Sequence, residues 1–192
     1  MTRLWWVRHA PTHARGFVGW TDLAADLSDS AAFARLRAVL PGYALVISSD
    51  LARARATADA LAGGAPRLPD DPDLREIHFG AWEGLTWEEI AARDPSLSRA
   101  YWSDPGPHAP PGGESWDSAT ARVSRAADRL VAAYRGRDIV VVAHYGAILT
   151  QYQRAAGLSP YQALAQKIDN LSLSRFDHGP SGWLAAFVNR VA

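Results

Sequence analysis

The sequence predicts an α/β protein, a three-layer α/β/α sandwich around a mostly parallel central sheet. Three observations carry this reading. Short apolar runs of strand character alternate along the chain with Ala- and Leu-rich stretches of helical period. The run Ile139-Val140-Val141-Val142 is apolar on both faces, as a parallel strand covered by helices on two sides must be. No linker, repeat or low-complexity tract breaks the alternation, so residues 1–192 read as one domain, with residues 77–115 as a small cap.

Each element has a local cause. Leu4–Val7 is a short apolar and aromatic run that reads as a buried strand, and Pro11 blocks a helix through the segment after it. Ser30–Leu40 has helical spacing and stops at Pro41-Gly42. Tyr43–Ile47 reads as a second buried strand, Ser48-Ser49-Asp50 as a helix start, and an Ala-rich helix follows to Ala62. Thr86-Trp87-Glu88-Glu89 has capping-box spacing, so a short helix should run to Arg93. Ser103–Gly113, rich in Pro and Gly, should be irregular. Ser115–Tyr134 should be the longest helix, Asp138–Ala143 a central strand and Gly146–Ala156 a helix. Leu171–Phe176 and Trp183–Val188 should be two closing strands joined by a Gly-Pro turn.

Composition excludes several function classes. Hydrophobic residues at 48% and charged residues at 21% are those of a globular domain, against disorder or a coiled coil. The 20 basic and 20 acidic residues cancel, which removes the footprint of a general nucleic-acid binder. With no cysteine there is no disulfide framework, thiol nucleophile or cysteine-held metal. Arg8-His9 cuts the first apolar run too short for a signal peptide, and no stretch approaches the roughly 18 apolar residues of a membrane span. A cytoplasmic protein without membrane contact is therefore expected.

Ligands in such sheets gather beyond the carboxyl ends of the strands. His9 closes the first strand and His144 closes Ile139–Ala143; Arg8 lies beside His9, and Arg53 and Arg55 fall in the first turns of the helix after the second strand. Two imidazoles and up to three guanidinium groups thus point toward one rim, a set suited to a tetrahedral dianion. Each piece alone is weak, since a histidine at a strand end is more often a structural hydrogen-bonder. Their convergence is what points to chemistry. His9 and His13 are four apart, but Pro11 between them argues against a helical metal pair, and no metal site is expected.

The motifs in order resemble those of the histidine phosphatase superfamily, which includes cofactor-dependent phosphoglycerate mutases. Arg8-His9-Ala10-Pro11-Thr12 is similar to its R-H-G signature, and Phe17-Val18-Gly19-Trp20-Thr21-Asp22 to its F-x-G-W-x-D segment. Ser49-Asp50-Leu51-Ala52-Arg53-Ala54-Arg55-Ala56-Thr57-Ala58 resembles its S-x-L-x-R-A-x-x-T-A helix, and Leu74–Gly84 its L-x-E-x-x-x-G-x-x-E-G loop. Pro111-Gly112-Gly113-Glu114-Ser115 and Val142-Ala143-His144 complete the set.

The resemblance implies a phosphoglycerate mutase-like fold and a role for each matching residue. His9 is the implied nucleophile, forming a phosphohistidine. Arg8, Arg53 and a protonated His144 would bind the equatorial oxygens. Glu76 is the implied proton donor, with Glu83 in the same loop as its rival. Thr12, Arg15, Trp20, Glu114, Ser115 and Tyr145 are candidates for phosphate or substrate contact. Departures are Ala10 for the usual glycine, Pro11 where an acid is common, Arg15 for a frequent asparagine, and Tyr145 for a frequent glycine. Trp82, Trp87, Tyr101 and Trp102 divide evenly between core and pocket lining.

A phosphatase acting on a small phosphomonoester, with no metal and no cofactor, is the expected function. The alternatives are a mutase-type phosphoryl transferase, for which the chain has little lid material, and an α-ribazole phosphatase-like enzyme of cobalamin assembly. A phosphoprotein phosphatase would need a more open site. A non-catalytic phospho-ligand binder comes last, because both histidines, Arg8, Arg53 and Glu76 are present. Pairing of the last strand with a second copy leaves a homodimer as an option.

Overall fold

The computed structural model describes residues 1–192. Five strands and seven helices follow in the order β1 (Thr2–Arg8), α1 (Ser30–Val39), β2 (Leu45–Ser48), α2 (Ala52–Ala62), α3 (Trp87–Arg93), α4 (Pro95–Ser103), α5 (Trp116–Ala133), β3 (Asp138–Ala143), α6 (Tyr145–Ala156), α7 (Pro160–Leu164), β4 (Leu173–Gly179) and β5 (Gly182–Arg190). The sheet order is β2-β3-β1-β4-β5. β2, β3 and β1 pair in parallel, whereas β4 runs antiparallel to both β1 and β5. Four strands share one direction, so the sheet is mostly parallel, with β4 reversed.

Alternation along the strands sends side chains into two separate cores, which is the physical basis of three layers. Leu4 and Trp6 of β1 and Ile139 and Val141 of β3 join α5 and α6 through residues such as Val123 and Ile148. Val7 of β1 and Val140 and Val142 of β3 join α1 and α2 through Phe33, Leu36, Ala54 and Ala58. The segment 77–115 does not build a core of its own. Its Ile77, Phe79, Trp82, Ile90 and Tyr101 belong to the α5–α6 core. No helix is long and apolar enough to cross a membrane.

Several boundaries differ from the sequence reading. β2 begins at Leu45, not Tyr43, whose ring is 68% exposed in the turn before it. β4 begins at Leu173, after Leu171 with its positive φ, and runs on to Gly179, and β5 extends beyond its reading at both ends, because the two strands gain ladder bonds from each other that no local pattern announces. The capping box at Thr86 is present, with Thr86 and Glu89 each accepting from the other's backbone N–H. The reading passed over α4 and α7, two short helices that each carry proline in the first turn, where its missing N–H costs nothing.

Candidate active site

The parallel register places the site. Arg8 of β1 lies opposite Ala143 of β3, and Ser48 of β2 lies opposite Val142, so the chain leaves all three strands at one rim. His9, Ser49 and His144 are the next residues on those strands. The His9 N–H donates to the Ala143 carbonyl (3.0 Å) and the Ser49 N–H to the Val142 carbonyl (3.1 Å), fixing the three backbones side by side. The His9 and His144 rings lie 5.1 Å apart, centroid to centroid.

His9 is held in one tautomer by two opposed hydrogen bonds. Its Nδ1 lies 2.7 Å from the Ala10 carbonyl, which can only accept, so Nδ1 carries the proton. Its Nε2 accepts from the Arg53 Nε–H at 3.2 Å, which requires a lone pair there. Burial pushes this imidazole down to about 3; the Ala10 carbonyl pulls the other way, and the charges of Arg53 and Arg8 add to the fall. Asn170, just before β4, donates to the His9 carbonyl at 2.8 Å, and the Thr57 hydroxyl accepts from the Ala10 N–H at 3.0 Å.

Arg53 is 1% exposed, unlike the solvated arginine usual on a helix. It donates to the carbonyls of Gly19 (2.6 Å) and Thr21 (2.9 Å), tying the loop after β1 to α2. Arg55, two residues on, faces solvent and takes no part, so two guanidinium groups converge where three were expected. The second is Arg8, which donates to the Ile168 carbonyl at 2.6 Å and stacks 5.3 Å from the Tyr145 ring centroid.

His144 is wholly buried and caps α6, with its Nε2 2.6 Å from the Ser49 hydroxyl. The Ser49 oxygen also accepts from the Leu51 N–H, and the buried Nδ1 of His144 has no hydrogen-bond partner. Burial first, then the charges of His9, Arg53, Arg122 and Arg8, hold this ring well below the ordinary histidine range. The protonated His144 of the sequence reading is therefore corrected to a neutral one in the free protein.

The two glutamates separate clearly. Glu76 is buried, and its oxygens accept from the backbone N–H groups of Ile77 (2.9 Å), Gly146 (3.0 Å) and Ala147 (3.2 Å), the last two in the first turn of α6. It is the one carboxylate lining a cavity of about 240 Å³ that Arg8, His9, Thr12, Arg53 and Tyr145 also line. Glu83 does not line it. Its carboxylate accepts from the Trp20 and Thr21 N–H groups (2.8 and 2.7 Å) and from the Thr21 hydroxyl. Burial alone would raise Glu83, but these bonds and His78 hold it below the ordinary carboxylate range.

Other candidates also stand away from the cavity. Trp20 donates its indole N–H to the Glu76 carbonyl at 2.8 Å and packs under Arg75 and Arg122. Glu114 pairs with Arg122 at 2.7 Å and accepts from the His78 N–H, while Ser115 caps α5. Arg15 is exposed, although its neighbours Ala14 and Gly16 line the cavity. Among the four aromatics, Tyr101 and Trp102 line the cavity, Trp82 is core, and Trp87 is 47% exposed. Ser49, Thr57 and Asn170 were missed. Ser49 and Thr57 stood in the quoted helix motif without being assigned a role, whereas Asn170 is a neighbour of His9 only through the fold. No group of three or more His, Asp or Glu side chains is arranged to hold a metal ion.

A model of the histidine phosphatase superfamily (branch 1) matches residues 4–191. The chain belongs to this superfamily. It is 39% identical over 162 residues to the bifunctional protein Rv2228c of Mycobacterium tuberculosis, a match covering 83% of this chain and 42% of that protein. The chain thus spans about two fifths of that relative. Among solved structures, Bacillus stearothermophilus YhfR superposes with a TM-score of 0.90 at 26% identity, covering 100% of this chain and 98% of the other. The mycobacterial glucosyl-3-phosphoglycerate phosphatase Rv2419c superposes with a TM-score of 0.84 at 29% identity, covering 99% of each chain. Of the motif residues, His9, Arg53 and Glu76 line one cavity with Tyr101 and Trp102, and the His144 ring packs against that of His9.

Proposed function

We propose that the protein hydrolyses small phosphomonoesters, without a metal ion, through a phosphohistidine on His9. The observation that carries this reading is a neutral His9 whose Nε2 lone pair lies among the Arg8 and Arg53 guanidinium groups, in a cavity with Glu76 as its one carboxylate. Nε2 attacks phosphorus as Arg53 turns from the lone pair to the phosphoryl oxygens. The bond from phosphorus to the ester oxygen breaks, and Glu76 gives that oxygen its proton. Water then attacks the phosphohistidine, Glu76 takes a proton from it, the N–P bond breaks, and inorganic phosphate leaves. Arg8 and Arg53 offer donors for the charge that spreads over the equatorial oxygens, with His144 beside His9 as the further imidazole of the site. Thr12 and Tyr145 belong to the substrate side of the same cavity.

The phosphatase named among the solved neighbours acts, by its name, on a small phosphorylated metabolite, which favours that substrate class here. The test is inorganic phosphate release from a panel of phosphomonoesters in excess EDTA. Turnover that survives the chelator and is lost in His9→Ala is the expected result. Wild-type turnover in His9→Ala would overturn the nucleophile assignment, and loss of wild-type activity in EDTA would overturn metal independence.

A further inference from the structure

The charged groups lining the cavity, Arg8, Arg53 and Glu76, gather with the neutral His9 at its phosphoryl end. The remaining wall is mainly apolar, built from side chains that include Phe17, Phe79, Tyr101, Trp102, Trp116 and Leu164. No further Lys, Arg, His, Asp or Glu lines it. Tyr101 stays neutral, because burial pushes its hydroxyl well above the ordinary tyrosine range, with Glu76 and Glu114 adding to the rise. A carboxylate or second phosphate on the leaving group would lose its water against this wall with no counter-charge to replace it.

Trp102, next to the last residue of α4, is the side chain that bounds this space on one side. Its ring lies 5.7 Å from Phe17, which lines the cavity, and 5.3 Å from Trp87, which does not. The same indole lines a second, outer groove of about 560 Å³ together with Trp87, Pro95, Arg99 and Tyr161. Trp102 is therefore the one residue common to the walls of the smaller inner space and the larger outer one. At about 240 Å³ the inner space lies below the roughly 300–1,000 Å³ of pockets for drug-sized ligands, so it suits a leaving group of one ring.

Resting on the phosphatase reading above, we propose that the preferred leaving group is an uncharged, ring-bearing alcohol and that Trp102 sets its size limit. This also weighs against a mutase, whose bisphosphate donor brings a second anion. The rival is recognition of an anionic leaving group by Arg15 from the mouth.

The experiment compares kcat/KM for phenyl phosphate, 4-carboxyphenyl phosphate and 1-naphthyl phosphate in the wild type, Trp102→Ala and Trp102→Phe. In the wild type, phenyl phosphate should exceed its carboxylated analogue by about tenfold or more, because the added charge meets no partner. Trp102→Ala joins the two spaces and should raise the ratio of naphthyl to phenyl ester by about tenfold, with Trp102→Phe in between. A merely structural Trp102 would lower both esters together and leave that ratio fixed, which overturns the size limit. Equal or better turnover of the carboxylated ester overturns the charge preference. Should Trp102→Ala fail to fold, the wild-type ranking and Trp102→Phe still decide. Absence of phosphate from every ester in the wild type overturns the phosphatase reading itself, whereas turnover in the wrong order overturns this proposal alone.

Discussion

At the residue scale, Glu76 and Glu83 show how environment divides two like side chains seven positions apart. Both stand in one loop of the sequence, and nothing local says which faces the substrate. The fold turns Glu76 into the cavity and gives Glu83 to Trp20 and Thr21, where it holds the loop after β1. Glu76→Gln should lower kcat by about 10²–10⁴ on alkyl phosphates, where the leaving oxygen needs a proton. The loss should be much smaller on 4-nitrophenyl phosphate, whose leaving group needs little help. Glu83→Gln should keep the wild-type dependence on leaving group while costing about 1 kcal/mol of stability through weakened bonds to the Trp20 and Thr21 N–H groups. Rates across a leaving-group series, with thermal melts of both variants, check this. A leaving-group dependence that changes in Glu83→Gln and not in Glu76→Gln would reverse the assignment.

At the element scale, α6 supports the site with its first turn. Its N-terminal N–H groups, which have no partner inside the helix, go to the Glu76 carboxylate, and His144 caps it. The carboxylate comes this close because residue 146 has no side chain. A Cβ there would lie 2.5 Å from Glu76 Oε1 and 2.7 Å from Ile77 Cδ1. Gly146→Ala should therefore displace Glu76 and lower kcat by about 10²-fold, as a 1 Å misplacement does, with the circular dichroism spectrum unchanged. Unaltered kcat in that variant would show that Glu76 has room to move without loss. The helix itself was legible from its apolar spacing, as were α1, α2 and α5. α4 and α7 were not, being short, with proline at the start where a breaker and a first-turn residue look alike.

On the scale of the whole molecule, burying two neutral imidazoles beside two guanidinium groups links stability to pH. His9 titrates near 3 in the folded chain against 6.5 when exposed, and His144 is lowered in the same direction. Between those values the unfolded chain binds protons that the folded chain refuses, so stability falls as pH drops from 6.5 toward 3. Each histidine contributes up to about 1.4 kcal/mol per pH unit inside that window and nothing above it. Melting temperatures from pH 7 to 4 should fall, and His9→Gln should flatten the slope because glutamine does not titrate. An unchanged slope in His9→Gln would show that His9 is solvated in the free protein.

The sequence by itself determined the α/β class, the alternation of strands and helices, and the motif residues at the strand ends, because those follow from local period and from residues that stay adjacent in the chain. His9, His144 and Arg53 were legible for that reason. What only the tertiary structure decided is orientation and partnership. The reversal of β4, the hydrogen bond between Ser49 and His144, and the support of His9 by Asn170 and Thr57 all join segments far apart in sequence, and the exposure of Arg55 and Arg15 follows from how the fold turns their backbones. The neutrality of His144 belongs with them. A histidine's charge depends on how deeply it is buried and which cations surround it, and those are set only when β1, β2 and β3 bring their carboxyl ends together.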